Sequence, residues 1–418
     1  MSPDSFNLNE FYRLLQYKFN FFQLINKFLM DGRIYPEISL EKIILSIISM
    51  PLLGITSLLQ LDETNREEFQ KGLFNSKHRN MVVSDSGLTY ALKKMYYKKP
   101  KTLGGVTDLL SECFFEFPDN NFIIDGLRSI LIDGSTFGKH FGCALYVIGK
   151  IDYLLDLVEM KKRGKEIPAA KKLARRLRDK FWKNYFDLIL YDGLCRYELI
   201  QYFRKITGCH VLVKTTEKDL DIIKEVELMI KNKEKLDKFG QSIKYYQGID
   251  EKRKEYYQIW EVDHIKRCNS DDEEEYKVAR VREYEIKRRN GTWIKTNKLK
   301  EEYYGISTKQ ELTGIAIRKF CIRRWRIEDS GFRQLNLFAK TKRLYSKYPE
   351  IAFPLIALLI LSHNLFLYFL SKFVKIGKEN KSKERIRSLK FYYIFLARNT
   401  YKVGGRHPPP LAILNCQG

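Results

Sequence analysis

Two short β-rich runs, each stopping on an aspartate, constrain this chain more than any other feature of it. SILID (Ser129–Asp133) is turned away at once by Gly134-Ser135-Thr136, and FDLILYDG (Phe186–Gly193) is an apolar run that ends at Asp192. Runs of about four to eight apolar and β-branched residues bounded by turn residues read as buried strands. Between the two, ALYVIGKI and LLDLVEM read as antiparallel neighbours, and Lys161 to Lys183 reads as a strongly basic helix after Pro168. The helix RYELIQYFRKI and the strand HVLVKTT follow the second aspartate.

Three antiparallel strands, a helix, a strand, a helix and a further strand is the order of a ribonuclease-H-like mixed sheet, an α/β fold. Its first and fourth strands are neighbours, so Asp133 and Asp192 are expected side by side. A third carboxylate comes from Gln310 to Phe338, a run without proline that reads as a helix. There Ile317, Cys321, Arg324, Glu328, Gly331 and Leu335 recur at three- and four-residue steps. That spacing sets Arg324 one turn before Glu328 on an otherwise apolar or small face. An inward charged pair is costly without partners, and the plain alternative is a solvated charged face. The company of Asp133 and Asp192 favours a metal site for phosphoryl transfer on DNA. Two Mg²⁺ ions can activate an attacking oxygen and stabilise a leaving one, and such ions want carboxylate oxygens. Asp133 reads as the bridging ligand, Asp192 as the second, and Glu328 as the ligand approaching from the helix. Asp125, Asp152, Asp156 and Asp329 are weaker candidates by position, and Trp325 reads as core rather than a base-stacking platform.

Lys and Arg outnumber Asp and Glu by 75 to 51, a formal net charge of +24. A surplus of that size attracts polyanions through counterion release. The 27 Phe and 26 Tyr add surfaces on which bases stack. A hydrophobic share of 44% excludes a disordered chain. Seven cysteines without a C-x-x-C pair, and six histidines without H-x-x-x-H spacing, argue for a reducing compartment and against zinc. The opening Met-Ser-Pro-Asp has no signal-peptide pattern. Ala352 to Val374 is long enough to span a bilayer, but Ser362, His363 and Asn364 fall in its middle. A buried core helix fits those polar groups better, and no membrane is expected.

The chain divides into a helical, DNA-binding region at 1–120, the catalytic core at 121–345, and a helical region at 346–418 with a basic loop and tail. In the first, the stretch after Ser84-Asp85 carries an N-cap signature and Lys93, Lys94, Lys98 and Lys99 beside Tyr96 and Tyr97. A break is expected at Pro51 and a linker at Lys101 to Gly105. Inside the core, about 217–309 reads as a β-rich insertion in which YYQIWEVDHI and YKVARVREYEI alternate like exposed strands.

LIDGST, LILYDGL and RRWRIEDSGFRQL, in that order, resemble the three catalytic blocks of DDE transposases of bacterial insertion sequences. The pattern is most similar to the IS-four-like branch, which has a β-strand insertion before its catalytic glutamate. The resemblance covers roughly 128–338. It implies a ribonuclease-H-like core and two Mg²⁺ ions, with Mn²⁺ able to substitute. It also implies binding of terminal inverted repeats in double-stranded DNA, and strand cleavage followed by strand transfer in a homodimeric synaptic complex. A bacterial cytoplasmic, nucleoid-associated location goes with it. Of that branch's Tyr, Arg, Glu and Lys signature, Arg324 and Glu328 match, while Cys321 stands at the Tyr position and Leu335 at the Lys position. Arg333 is a nearby cation that would compensate. Arg324 is expected to hold a DNA phosphate or orient Glu328, Lys214 to contact phosphate, and Gly331 either to admit DNA backbone or to relieve packing. A hydrolytic nuclease with the same carboxylates and a non-catalytic basic DNA-binding protein are the alternatives.

Overall fold

The computed structural model describes residues 8–53, 55, 57–64, 84–97, 102–116, 122–149, 152–192, 197–232, 243–266, 274–324, 331–339, 341–342 and 348–373. Apolar periodicity at the start of the chain forms α1 (Leu8–Phe19) and α2 (Phe21–Phe28), separated by Asn20 in a left-handed conformation. Then come α3 (Leu40–Leu53), α4 (Leu58–Thr64), α5 (Asp85–Tyr97) and α6 (Thr102–Phe115). The Ser84 hydroxyl accepts from the Gly87 amide at 3.1 Å and caps α5. Two expectations are corrected here. α3 runs through Pro51, because Ile47, Ile48, Met50 and Leu52 are buried around it and packing outweighs the lost hydrogen bond. Of the supposed linker at Lys101 to Gly105, residues 102–105 open α6 instead, and Lys101 lies outside the described residues. A Cβ on Gly105 would come within 2.5 Å of the Phe28 carbonyl oxygen, so the glycine serves close helix contact rather than flexibility.

The remainder is mixed α/β, built on one large mixed sheet. β1 (Ile123–Ile124) and β2 (Leu127–Phe137) form a hairpin, and β3 (His140–Val147) and β4 (Tyr153–Met160) follow antiparallel. After α7 (Glu166–Lys180), β5 (Leu188–Asp192) pairs parallel with β2, and beyond α8 (Tyr197–Thr207), β6 (His210–Thr215) pairs parallel with β5. α9 (Asp221–Lys231) leads to four antiparallel strands, β7 (Lys244–Asp250), β8 (Glu255–Ile265), β9 (Tyr276–Arg289) and β10 (Thr292–Ser307). β10 pairs antiparallel with β6, so these four strands extend the sheet. The strand order is β4-β3-β2-β5-β6-β10-β9-β8-β7. β8 and β9 are not the exposed strands expected: Ile259, Val262, Tyr276, Val278, Ala279 and Val281 are all buried. Tyr197 of α8 packs edge-on against Tyr276, and Glu227 of α9 accepts from the Tyr304 hydroxyl, so helices cover this half of the sheet too.

α10 (Gly314–Arg324) lies across the opposite face, over β8, β9, β10, β6 and β5. Gly305 makes room for it, since a Cβ there would meet Ile317 and Cys321. Three polar anchors hold it. The buried Glu261 carboxylate accepts from the Gly314 amide at the helix N-terminus, where negative charge is favoured. Arg318 reaches Glu283 at 2.8 Å and also Glu255 and Asp250, and Arg324 ends the helix on Asp192. The expected stripe is inward: Ile317, Cys321, Arg324, Gly331 and Leu335 are buried, the last belonging to α11 (Arg333–Ala339).

α12 (Pro349–Phe373) packs against α1, α3, α5, α6 and β4. The first and last of the described helices therefore share one helical core. Pro349–Phe369 is long and apolar enough to cross a membrane, but its most apolar stretch is wholly enclosed by the rest of the protein. Two of the three polar residues in its middle bond to backbone: Ser362 donates to the Ile48 carbonyl, and Asn364 bonds the backbone of Leu154. Residues 374–418, with the expected basic loop and tail, lie outside the described residues, as do Lys98 and Lys99.

Candidate active site

The register of two parallel strands builds the site. Leu131 of β2 is opposite Leu190 of β5. Asp133 and Asp192 each stand two residues further on, hence on the same face of adjoining strands, whose backbones run about 5 Å apart. Asp192 is in turn opposite Lys214 of β6, and Lys214 opposite Gly305 of β10. α10 covers that same face, and the Arg324 guanidinium donates to the Asp192 carboxylate at 2.9 Å. The arginine side chain is 8% exposed and the aspartate 43%, so the pair runs from the core out to the strand ends. The Asp133 carboxylate accepts from the Gly134 amide at 2.8 Å.

A cleft of about 790 Å³ opens beside Asp133. Asp133, Glu166, Arg163, Phe332, Arg333 and Lys342 are among its lining residues. Glu166, the first residue of α7, is the group that sequence reasoning missed. Its carboxylate fills the place where a Cβ on Gly134 would sit. Burial, and after it the charge of Asp192, push the Glu166 carboxyl above its ordinary range, against the pull of Arg324. The only sequence signal was an acidic residue in the first turn of a helix, which is common at any helix start. Its approach to the aspartates comes from how α7 docks on the sheet.

The expected residues are distributed as follows. Arg333 is exposed at the start of α11 and lines the cleft. Lys214 is 6% exposed, ion-paired with Glu301, with its ammonium 4.1 Å from the centre of the Tyr303 ring. It reaches a phosphate only if that pair opens. Gly331 faces the Tyr146 ring, 2.8 Å from where a Cβ would stand, so packing occupies the room that DNA backbone would need. Glu328, Trp325 and Asp329 lie outside the described residues. The chain on either side of them is placed, with Arg324 on Asp192 and Phe332 edge-on to Phe137 and Tyr146. The competing carboxylates have partners elsewhere: Asp156 with Arg176 and Lys180, Asp125 with Arg323, and Asp152 accepting from the Gly149 amide.

Mg²⁺ takes about one or two carboxylates from protein and fills its octahedron with water and phosphate oxygens. Asp133 and Asp192 supply two such groups from adjoining strands, which fits. The chain does not turn away after Asp133 as expected: β2 runs on through Gly134, Ser135 and Thr136 to Phe137, because these residues keep pairing with β3. Among the described residues, no three or more His, Cys, Asp or Glu side chains cluster closely enough to hold a metal ion. Comparison with models of known protein families gives no match, and no curated protein matches the chain.

Proposed function

We propose that this protein is a DNA transposase that binds the terminal inverted repeats of an insertion sequence and catalyses Mg²⁺-dependent strand cleavage and strand transfer. The observation that carries the reading is the parallel register that sets Asp133 and Asp192 on one face of neighbouring strands, with Arg324 at the end of α10 bonded to Asp192. The order β4-β3-β2-β5-β6, antiparallel through β2 and parallel beyond it, supports a ribonuclease-H-like core. The β7–β10 strands, between β6 and α10, support the β-strand insertion of the IS-four-like branch. Asp133, Asp192 and Glu328 would hold the metal, with Mn²⁺ able to substitute, and a pair of such ions supplies an activated oxygen nucleophile and a stabilised leaving oxygen. Arg324 keeps the Asp192 carboxylate oriented. Arg163, Arg333 and Lys342 line the cleft beside Asp133 and would hold the phosphates flanking the cut. Lys214 is a further phosphate contact once it leaves Glu301. A homodimer acting on double-stranded DNA in a bacterial cytoplasm, associated with the nucleoid, completes the reading.

A strand-transfer assay with a pre-cut duplex end tests it. A joined product that requires Mg²⁺ and vanishes in Asp192→Asn, with duplex binding kept, is the expected result. Nicking without any joined product would make the protein a hydrolytic nuclease. Unchanged behaviour of Asp192→Asn would leave a basic DNA-binding protein without catalysis.

A further inference from the structure

The end of β9 and the start of β10 run on past the rest of the sheet. β8 begins at Glu255, opposite Glu285, whereas β9 and β10 continue to pair from Ile286↔Lys295 out to Arg289↔Thr292. Asn290 and Gly291, both at positive φ, close this two-stranded ribbon in the turn that suits a twisted hairpin. Residues 286–299 carry five cations, Lys287, Arg288, Arg289, Lys295 and Lys298, and no carboxylate. All five are exposed, and among the described residues only Lys298 is ion-paired, with Glu285. An edge this basic is more than protection against strand pairing, because its aromatic residues are arranged with the cations. Arg288 lies over the Trp293 ring at 5.7 Å and Lys295 over the Tyr284 ring at 3.8 Å.

The pairing also divides the cations between the two faces. Lys287, Arg289, Thr292 and Ile294 share one face, and Arg288, Trp293 and Lys295 the other. A flat anionic surface would engage one face and leave the other cations in water. A groove with phosphates on both walls engages both, and the major groove of a duplex admits a two-stranded ribbon. The ribbon also points away from the same edge as the aspartates. β10 runs antiparallel to β6, level with Asp192 at Gly305 and reaching Trp293 twelve residues beyond the strand ends, about 40 Å at full extension. One turn of duplex is about 34–36 Å.

On these grounds, and resting on the reading of this protein as an enzyme that cuts DNA, we propose that the 286–299 ribbon enters a groove of the bound duplex about one helical turn from the aspartates. The test compares the full chain with the triple variant Lys287→Gln, Arg288→Gln, Arg289→Gln. The probe is a random-sequence duplex of about four helical turns, and its affinity is followed as a function of NaCl concentration. The variant is expected to melt as the wild type does and to lose about two to three units from the slope of log affinity against log salt. On a duplex of the same length carrying one defined nick, hydroxyl-radical protection should disappear from one patch about a turn from the nick. A wild-type slope and footprint in the triple variant would overturn the inference and leave the transposase reading standing. No duplex affinity in the wild type would remove both. Loss of binding to phosphatidylserine vesicles with an unchanged duplex slope would make the ribbon a lipid contact and likewise overturn it.

Discussion

Arg324 and Asp192, 132 positions apart in sequence, are joined by a 2.9 Å charge-assisted hydrogen bond that fastens the end of α10 to the end of β5. The bond serves the fold as well as any chemistry, and the two roles separate by substitution. Asp192→Asn keeps an acceptor for the guanidinium, so the stability loss should stay below about 1 kcal/mol for a carboxylate this exposed. Removing its charge should lower Mg²⁺-dependent nicking on the order of 10³-fold. Arg324→Ala also empties space in the core and should cost about 1–3 kcal/mol. Urea denaturation beside a nicking assay distinguishes them: nicking by Asp192→Asn at the wild-type rate would mean the pair is structural only.

The meeting of Gly305 and Cys321 leaves no room for a larger side chain at position 321. A Cβ on Gly305 would lie 2.2 Å from Ile317 and 3.3 Å from the Cys321 sulfur. Gly305→Ala should therefore cost about 1–3 kcal/mol by overpacking, and Cys321→Tyr, which puts a ring into the same space, should cost more. Burial pushes the Cys321 thiol up to about 12, against the pull of Lys214 and Arg324, so native protein should resist iodoacetamide at this position near pH 8. Faster modification of Cys321 in Gly305→Ala than in wild type would report the helix lifted from the sheet. Modification of wild type at the rate of a free thiol would contradict this packing.

Glu302 makes stability depend on acid at the base of the β7–β10 strands. Burial alone would raise its carboxyl, but hydrogen bonds from Arg282, Arg280 and Lys218 outweigh that and hold it at about 2. A folded-state value depressed below the unfolded one gives stability that is complete above the ordinary glutamate range and lost as pH falls through the folded value. Glu302→Gln should thus be about 1–3 kcal/mol less stable than wild type at pH 7, from weaker hydrogen bonds to the arginines. The gap should close between about pH 4.5 and 2. Denaturant midpoints measured across that window decide it: a gap that stays constant with pH would mean the carboxylate charge contributes nothing.

Much of the scaffold could be read from residue patterns, and the exceptions share a cause. Leu188–Asp192 is a strand because it is continuously apolar up to its aspartate, and the 317-321-324 stripe of α10 is inward because its spacing matches a helix. Both signals are local. Gly105 inside a helix, Pro51 inside another and the covering of β8 and β9 depend on what packs against them, and no local pattern carries that. Glu166 and Lys214 show the same limit at the candidate site. One lies beside Gly134 because α7 docks there, and the other is held by Glu301, 87 residues further on.

Asn364 explains why a helix apolar enough for a bilayer carries polar residues in its middle. Its amide donates to the Leu154 carbonyl at 2.7 Å and accepts from the Leu154 amide at 3.4 Å. β4 is the last strand of the sheet on that side, and its register against β3 shifts at this point. The side chain thus gives an edge strand the donor and acceptor that a neighbouring strand would have given. Asn364 is wholly buried, so Asn364→Leu would strand both backbone groups and should cost about 2–4 kcal/mol. The Leu154 amide should exchange with solvent deuterium faster than its neighbours in the variant. A helix that met lipid instead would gain from losing a polar group, so a more stable Asn364→Leu protein would refute the enclosed position of α12.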